Sequence, residues 1–149
     1  MSGTPREVVA RLWERLYEKD FDGVGALFAP GGEYTDVPTP GEDVARGPEQ
    51  VAARLRLGLE PLAGIGHTVR TVVADGDVVV TEHTEHWTWP TGERADLPFV
   101  SIHELVDGEI VRWWDYWDLT TLMGAAPAWW VEHIMAESAR VGLRPPDPA

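Results

Sequence analysis

The fold is decided by Ile110-Val111-Arg112-Trp113-Trp114-Asp115-Tyr116-Trp117-Asp118. Its β-branched and aromatic residues predict a strand, because such side chains fit a pleated, half-buried surface. Side chains alternate along a strand, so Trp113, Asp115 and Trp117 share one face, and the other carries Trp114, Tyr116 and Asp118. Either face holds a carboxylate among large rings, which is costly unless it is paired or hydrogen-bonded. Asp115 is therefore either a structural partner in an ordinary sheet or an acid with a perturbed pKa at a functional site.

Three period-two segments precede this strand and predict a four-strand antiparallel meander. They cover about His67 to Ala74, Val78 to Trp89 and Arg94 to Val106. Short turns join the strands, with the sequences Asp75-Gly76-Asp77, Pro90-Thr91-Gly92-Glu93 and Asp107-Gly108.

Helical patterns lie on both sides of the meander. Thr4 is a plausible N-cap for a helix to about Lys19, and Asp20 begins a short second helix that includes Leu27 and Phe28. The pattern then predicts a strand over 33–37, a loop over 38–47 and a helix from Pro48. A last helix is expected over about 127–141, followed by a proline-rich tail. This order predicts an α+β fold, in which a curved antiparallel or mixed sheet packs on the N-terminal helices and encloses an apolar pocket.

Composition narrows the class of protein. A length of 149 residues predicts one domain over 1–149. The net charge of −13 disfavours nucleic acids and anionic membranes as partners. Without cysteines the chain has no disulfides, thiolate ligands or cysteine nucleophiles. No apolar run reaches membrane-spanning length and the N-terminus does not resemble a signal peptide, so we expect a cytoplasmic protein.

A second strand carries polar groups among aromatic residues. Alternation places His83, Glu85, Trp87 and Trp89 on one face, and the rings predict that this face is interior. With Trp113 and Trp117, these tryptophans are expected to line the pocket. Buried polar groups need partners, and Asp115 is a candidate. We expect no metal, because alternation places neighbouring acids and histidines on opposite faces. No serine lies in a nucleophile-elbow context, and the facing of His67 is undetermined.

Three segments carry a resemblance to a known family. Tyr34-Thr35-Asp36-Val37-Pro38 resembles a Tyr-x-Asn-x-Pro segment, and Thr81-Glu82-His83-Thr84-Glu85 resembles a Thr-Glu-Arg-x-Asp strand. The Asp107-Gly108-Glu109-Ile110 turn followed by Trp114-Asp115-Tyr116-Trp117-Asp118 resembles Gly-Lys-Ile…Arg-Asp-Tyr-Phe-Asp. From about Pro5 to Leu122, the chain resembles limonene-1,2-epoxide hydrolase and its relatives in the nuclear-transport-factor-two-like, SnoaL-like superfamily. The resemblance implies a cone-shaped curved sheet, a homodimer formed through the outer sheet face or the C-terminal helix, and no cofactor.

The resemblance also implies a role for each polar residue. In that family one carboxylate takes a proton from water while a carboxylic acid protonates the epoxide oxygen, and an arginine bridges the two. By resemblance, Asp115 is the base, Glu85 the acid and His83 the bridge, while Tyr34 and Asp36 hold the water.

Three of these five positions depart from the family pattern. Glu85 replaces an aspartate, His83 an arginine and Asp36 an asparagine. Between two carboxylates the pKa of His83 is expected to rise, which would give an imidazolium near neutral pH. Three acids with one cation cannot all be ionised in a dry pocket, so at least one is expected to hold a proton.

Three functional hypotheses follow. The first is a hydrolase that adds water to a bulky apolar epoxide, the substrate class that eight tryptophans favour. The second is a cyclase or isomerase that uses the same pocket, with Asp36 or His83 as the base. The third is a non-catalytic ligand-binding or dimerisation module, in which the buried charges would only lower stability.

Overall fold

The computed structural model describes residues 3–39 and 44–138 of the chain. These residues form five helices and six strands. In order they are α1 (Pro5–Tyr17), α2 (Phe21–Gly25), β1 (Phe28–Asp36), β2 (Val44–Arg46), α3 (Gly47–Leu59), β3 (Gly64–Asp75), β4 (Val78–Thr88), β5 (Arg94–Val106), β6 (Glu109–Tyr116), α4 (Leu119–Ala125) and α5 (Ala128–Ser138).

The six strands form one curved sheet in the order β2-β1-β6-β5-β4-β3. Strands β3 to β6 pair antiparallel with their sequence neighbours, which confirms the predicted meander. Strand β1 pairs antiparallel with β2 and parallel with β6, so the sheet is mixed. The predicted α+β class is therefore confirmed.

Two predictions about the first half of the chain were wrong. Helix α2 ends at Gly25, and Phe28 begins β1 instead of closing the helix. Gly32 lies within β1, so close to β6 that an added Cβ would be 2.5 Å from the carbonyl oxygen of Ile110. Strand β2 lies within the predicted loop 38–47, because residues 44–46 pair with β1. The predicted C-terminal helix is α5; residues 139–141 and the proline-rich tail lie outside the described residues.

The helices cover the inner face of the sheet with their apolar sides. Helix α1 begins at the predicted cap, where the Thr4 side chain accepts a hydrogen bond from the Glu7 backbone N–H. Its buried residues recur every three or four positions: Val8, Val9, Leu12, Trp13 and Leu16. Helix α3 buries Val51, Ala52, Leu55 and Leu59 in the same way. In the described part of the chain, no helix is long and apolar enough to cross a membrane.

Candidate active site

The inner face of the sheet brings three carboxyl groups to one cavity. Asp36 ends β1, Asp115 lies directly beside it on β6, and Glu85 lies on β4. Glu85 and Asp115 are 5% and 4% exposed, and Trp113 beside Asp115 is 1% exposed. The predicted interior face of β4 is thereby confirmed, and on β6 the face of Trp113 and Asp115 is the buried one of the two that alternation left open.

The cavity has a volume of about 750 Å³ and a mainly apolar wall. The sheet, α3, α4 and α5 all contribute to it. Trp87, Trp113 and Trp117 line it as predicted. Trp89 does not: it is 1% exposed and packs edge-on against Trp87 and Trp130, so its predicted place in the pocket was wrong.

Each of the three carboxyl groups accepts one hydroxyl and one indole N–H. Oδ1 of Asp115 accepts from Ser101 Oγ at 2.6 Å and from Trp113 Nε1 at 2.6 Å. In Glu85, Oε2 accepts from the Tyr17 hydroxyl at 2.6 Å and Oε1 accepts from Trp87 Nε1 at 3.1 Å. The indole N–H is only a donor, so these tryptophans orient the acids as well as lining the cavity.

Asp36 is held in the same manner. Its Oδ1 accepts from Trp117 Nε1 at 3.0 Å and from the Tyr34 hydroxyl at 3.3 Å. The Tyr34 ring stacks on Trp113, with centroids 4.1 Å apart, which fixes the hydroxyl toward Asp36. Burial and the charges of Asp36 and Asp115 raise the pKa of Tyr34 well above its ordinary value, so the phenol stays a donor.

Burial keeps protons on Asp115 and Glu85. It is the main reason that the pKa of Asp115 lies well above its ordinary value, and the neighbouring charge of Asp36 adds to it. Burial also raises the pKa of Glu85 to about 7, despite the lowering effect of the Tyr17 and Trp87 hydrogen bonds. The expectation that at least one of the three acids holds a proton therefore agrees with the electrostatics of the site.

His83 does not bridge the two carboxylates. Its Nδ1 lies 3.1 Å from Nδ1 of His67, and its Nε2 lies 2.9 Å from Ser101 Oγ. The ring is 2% exposed and packs against Trp13 at 4.7 Å. Burial, with a smaller contribution from His67, lowers its pKa to about 4. The expected imidazolium was wrong, because the sequence did not show that aromatic rings and a second histidine surround this side chain.

The chain matches the SnoaL-like domain over residues 9–113. It belongs to the SnoaL-like family. Its six-stranded mixed sheet is the nuclear-transport-factor-two-like fold of that family. No curated protein matches the chain.

Solved structures resemble this SnoaL-like protein over most of its length. An LEH-like epoxide hydrolase from M. tuberculosis is 28% identical, with a TM-score of 0.65 over 78% of this chain and 84% of the other. A putative SnoaL-like polyketide cyclase from Jannaschia sp. CCS1 is 23% identical, with a TM-score of 0.72 over 83% and 92%. A protein with a ketosteroid isomerase-like fold from Catenulispora acidiphila is 20% identical, with a TM-score of 0.69 over 83% and 93%. The last two show the fold alone.

Sequence reasoning missed two donors of this SnoaL-like site. Ser101 stands at an inward position of β5, whose buried residues alternate from Ala95 to Leu105, so a polar residue in that series was the available signal. Tyr17 follows Trp13 by one helical turn, on the side of α1 that faces the sheet. Among the described residues, no cluster of three or more histidine or carboxylate side chains is arranged to hold a metal ion.

Proposed function

We propose that this SnoaL-like protein is an epoxide hydrolase that adds water to a bulky apolar epoxide in one step. One observation carries the proposal: three hydrogen-bonded carboxyl groups face a single apolar cavity, and burial keeps protons on two of them. Epoxide opening needs an acid that holds a proton beside a base that does not. The 28% identity with an LEH-like epoxide hydrolase supports the same class of reaction.

Asp36 and Asp115 act together as the base. They lie side by side on paired strands, and their charges interact, so the two carboxyls titrate as a pair that shares one proton. The remaining negative charge takes a proton from water as the water oxygen bonds to a ring carbon. Tyr34 and Trp117, which hold Asp36, keep this pair directed into the cavity.

Glu85 acts as the acid. With a pKa of about 7 it is largely protonated in slightly acidic solution and still half protonated at neutral pH. Its proton passes to the epoxide oxygen as the ring C–O bond breaks, which yields a diol without a covalent enzyme intermediate. Because both of its oxygens accept hydrogen bonds, from Tyr17 and Trp87, the group is held in place through the cycle.

The cavity defines the substrate class. About 750 Å³ is within the range of small-molecule sites. Leu97, Phe99, Trp130 and Ile134 add apolar surface around the polar cluster. This wall favours terpene-like, cycloalkene or aryl epoxides over charged or sugar-like ones.

A second function is a cyclisation or isomerisation in the same cavity. Asp36 favours it, because it adds a base where the family resemblance has an amide. A substrate hydroxyl would then replace water as the nucleophile, or a carboxylate would move a proton beside a carbonyl group.

Isotope-labelled water separates the two functions. The protein is incubated with terpene, cycloalkene and styrene epoxides, beside the variants Asp115→Asn and Asp118→Asn. Asp118 is the matched control, since it is exposed and caps α4, a position where asparagine is equally suitable. We expect labelled diol from the wild type and the control but not from Asp115→Asn.

Other outcomes count against parts of this proposal. Substantial diol formation by Asp115→Asn would remove Asp115 from the base. No diol from any epoxide would favour the second function, and hydroxy-epoxides and carbonyl compounds would then be tested with variants at Asp36 and His83.

A further inference from the structure

A line of hydrogen bonds connects Asp115 through the buried side chains of Ser101 and His83 to His67. Asp115 Oδ1 lies 2.6 Å from Ser101 Oγ, and Ser101 Oγ lies 2.9 Å from His83 Nε2. His83 Nδ1 lies 3.1 Å from His67 Nδ1. Ser101 and His83 are fully enclosed, with exposures of 0% and 2%.

The line ends in a second cavity, away from the candidate active site. This cavity, of about 460 Å³, lies between α1 and strands β3 and β4. His67, which is half-buried, lines it together with the exposed charged side chains Arg6 and Glu14. Polar groups of this kind allow water to occupy the cavity, so His67 can exchange protons with solvent.

The partners of each group fix the direction of every hydrogen bond. Ser101 donates its only proton to Asp115, so its oxygen accepts from His83 Nε2–H. Burial lowers the pKa of His83 to about 4, so the ring is neutral and its Nδ1 is an acceptor. His67 must then donate from Nδ1, which leaves its Nε2 free to take up a proton.

We propose that His67, His83 and Ser101 form a proton relay that lets Asp115 exchange protons with water in the second cavity. The use of this relay in turnover rests on the proposed function, since Asp115 belongs to the pair that takes a proton from water. The relay itself rests only on the geometry.

Each transfer in the relay conserves protons, and it starts from ionised Asp115, the state in which Asp36 holds the proton that the pair shares. A proton from water binds Nε2 of His67, whose Nδ1 proton moves to Nδ1 of His83. The Nε2 proton of His83 moves to Ser101 Oγ, and the original Ser101 proton moves to Asp115. Every carrier gains one proton and loses one, and the net change is one proton from water to Asp115.

After this transfer, every hydrogen bond of the line is donated in the direction from Asp115 toward His67. Afterwards Asp115 is the donor to Ser101, Ser101 donates to His83 Nε2, and His83 donates from Nδ1 to His67. The next transfer therefore carries a proton from Asp115 back to the second cavity. A proton that Asp115 takes from the nucleophilic water leaves by the same outward route once the hydrogen bonds of Ser101, His83 and His67 have reversed.

Aromatic packing supports this role. The ring centroids of Trp13 and His83 are 4.7 Å apart, and those of Tyr17 and His67 are 4.3 Å apart. Neither imidazole can therefore turn freely, and its nitrogens stay aligned with their hydrogen-bond partners. With a pKa of about 4, His83 holds an extra proton in about one molecule in a thousand at pH 7. It passes protons on without storing them.

The decisive variant is His67→Asn. The asparagine amide can still donate to His83 Nδ1, but it cannot take up one proton while releasing another. We expect exchange of the His83 Nε2 proton with water, measured by NMR, to become at least about tenfold slower. Ser101→Ala, which cuts the line next to Asp115, should slow protonation of Asp115 but leave its Trp113 hydrogen bond. His133→Asn, on α5 and outside the relay, is the matched control.

The NMR measurement needs no substrate, so it separates this proposal from the proposed function. An unchanged exchange rate in a folded His67→Asn protein would overturn the relay, whatever the enzyme activity. Slower exchange without epoxide hydrolysis by the wild type would support the relay and reject the hydrolase. If the wild type does hydrolyse epoxides, His67→Asn and Ser101→Ala should both lower kcat, leave KM unchanged and raise the solvent deuterium isotope effect. A change in KM alone would contradict the relay's role in turnover.

Discussion

Replacing Glu85 by glutamine isolates the free energy of ionising a carboxyl group inside the cavity. The side chain is 5% exposed, and burial raises its pKa from an ordinary 4.5 to about 7. Each pKa unit corresponds to about 1.4 kcal/mol, so the interval corresponds to about 3 kcal/mol of folding free energy.

The sign follows from which state binds the proton more tightly. Between pH 4.5 and about 7 the folded protein keeps the Glu85 proton while the unfolded chain has lost it. Raising the pH through this interval therefore lowers the free energy of unfolding, and the full loss of about 3 kcal/mol is reached above pH 7. Glutamine stays neutral, so Glu85→Gln removes this pH dependence.

Urea unfolding measures the effect directly. We expect the free energy of unfolding of Glu85→Gln, relative to wild type, to increase by about 3 kcal/mol between about pH 4.5 and about pH 8. At the acidic end the variant should be no more stable than wild type, because the amide must still satisfy Tyr17 and Trp87. The variant should also lose epoxide opening at every pH, since the acid is gone.

Glu82→Gln is the matched control, because Glu82 lies on the same strand with its side chain on the exposed face. We expect no comparable pH-dependent gain from it. A Glu85→Gln stability difference that stays constant across pH would refute the reasoning. It would mean that the pKa of Glu85 is the same in the folded and the unfolded protein.

Two further substitutions test neighbouring features. Asp36→Asn removes the charge that helps to raise the pKa of Asp115, so Asp115 should ionise at lower pH. The acidic limb of the pH profile of kcat/KM should then move to lower pH. A limb that does not move would contradict the paired base. Gly47→Ala should lower the free energy of unfolding by at least about 2 kcal/mol in urea, because φ is +81° and the new Cβ would lie 2.7 Å from the Pro30 carbonyl oxygen; an unchanged unfolding midpoint would contradict that account.

Alternation in the sequence predicted which side chains share a face of a strand, but it could not predict how β1 pairs in the sheet. Period two placed Glu85 on the face that the rings of Trp87 and Trp89 predicted as interior, and it grouped Asp115 with Trp113 while leaving open which face of that strand is buried. The same local rule cannot show that β1 pairs parallel with β6, since that contact joins residues far apart in sequence. It is this pairing that brings Asp36 beside Asp115.

The environment of His83 could not be predicted from the sequence either. His67 is directly opposite Glu85 in the β3–β4 pairing, and it reaches His83 only diagonally, two positions along the strand. Trp13, which covers the ring, comes from α1. A charge argument from β4 and β6 alone therefore predicted a raised pKa, whereas burial under rings from other elements lowers it.

The energetics of the three acids argue against a purely structural role. Above pH 7 the ionisation of buried Glu85 lowers the free energy of unfolding by about 3 kcal/mol. This is a large share of the roughly 5–15 kcal/mol that stabilises a typical domain. A ligand-binding or dimerisation module would gain stability from apolar replacements at these positions. Here each acid instead receives one hydroxyl and one indole N–H. Five of these six donors lie on four strands and a helix, and the sixth, Trp117, directly follows β6. Such an arrangement holds the three carboxyl groups at set positions and burial keeps protons on Glu85 and Asp115, which is what the proposed acid–base chemistry requires.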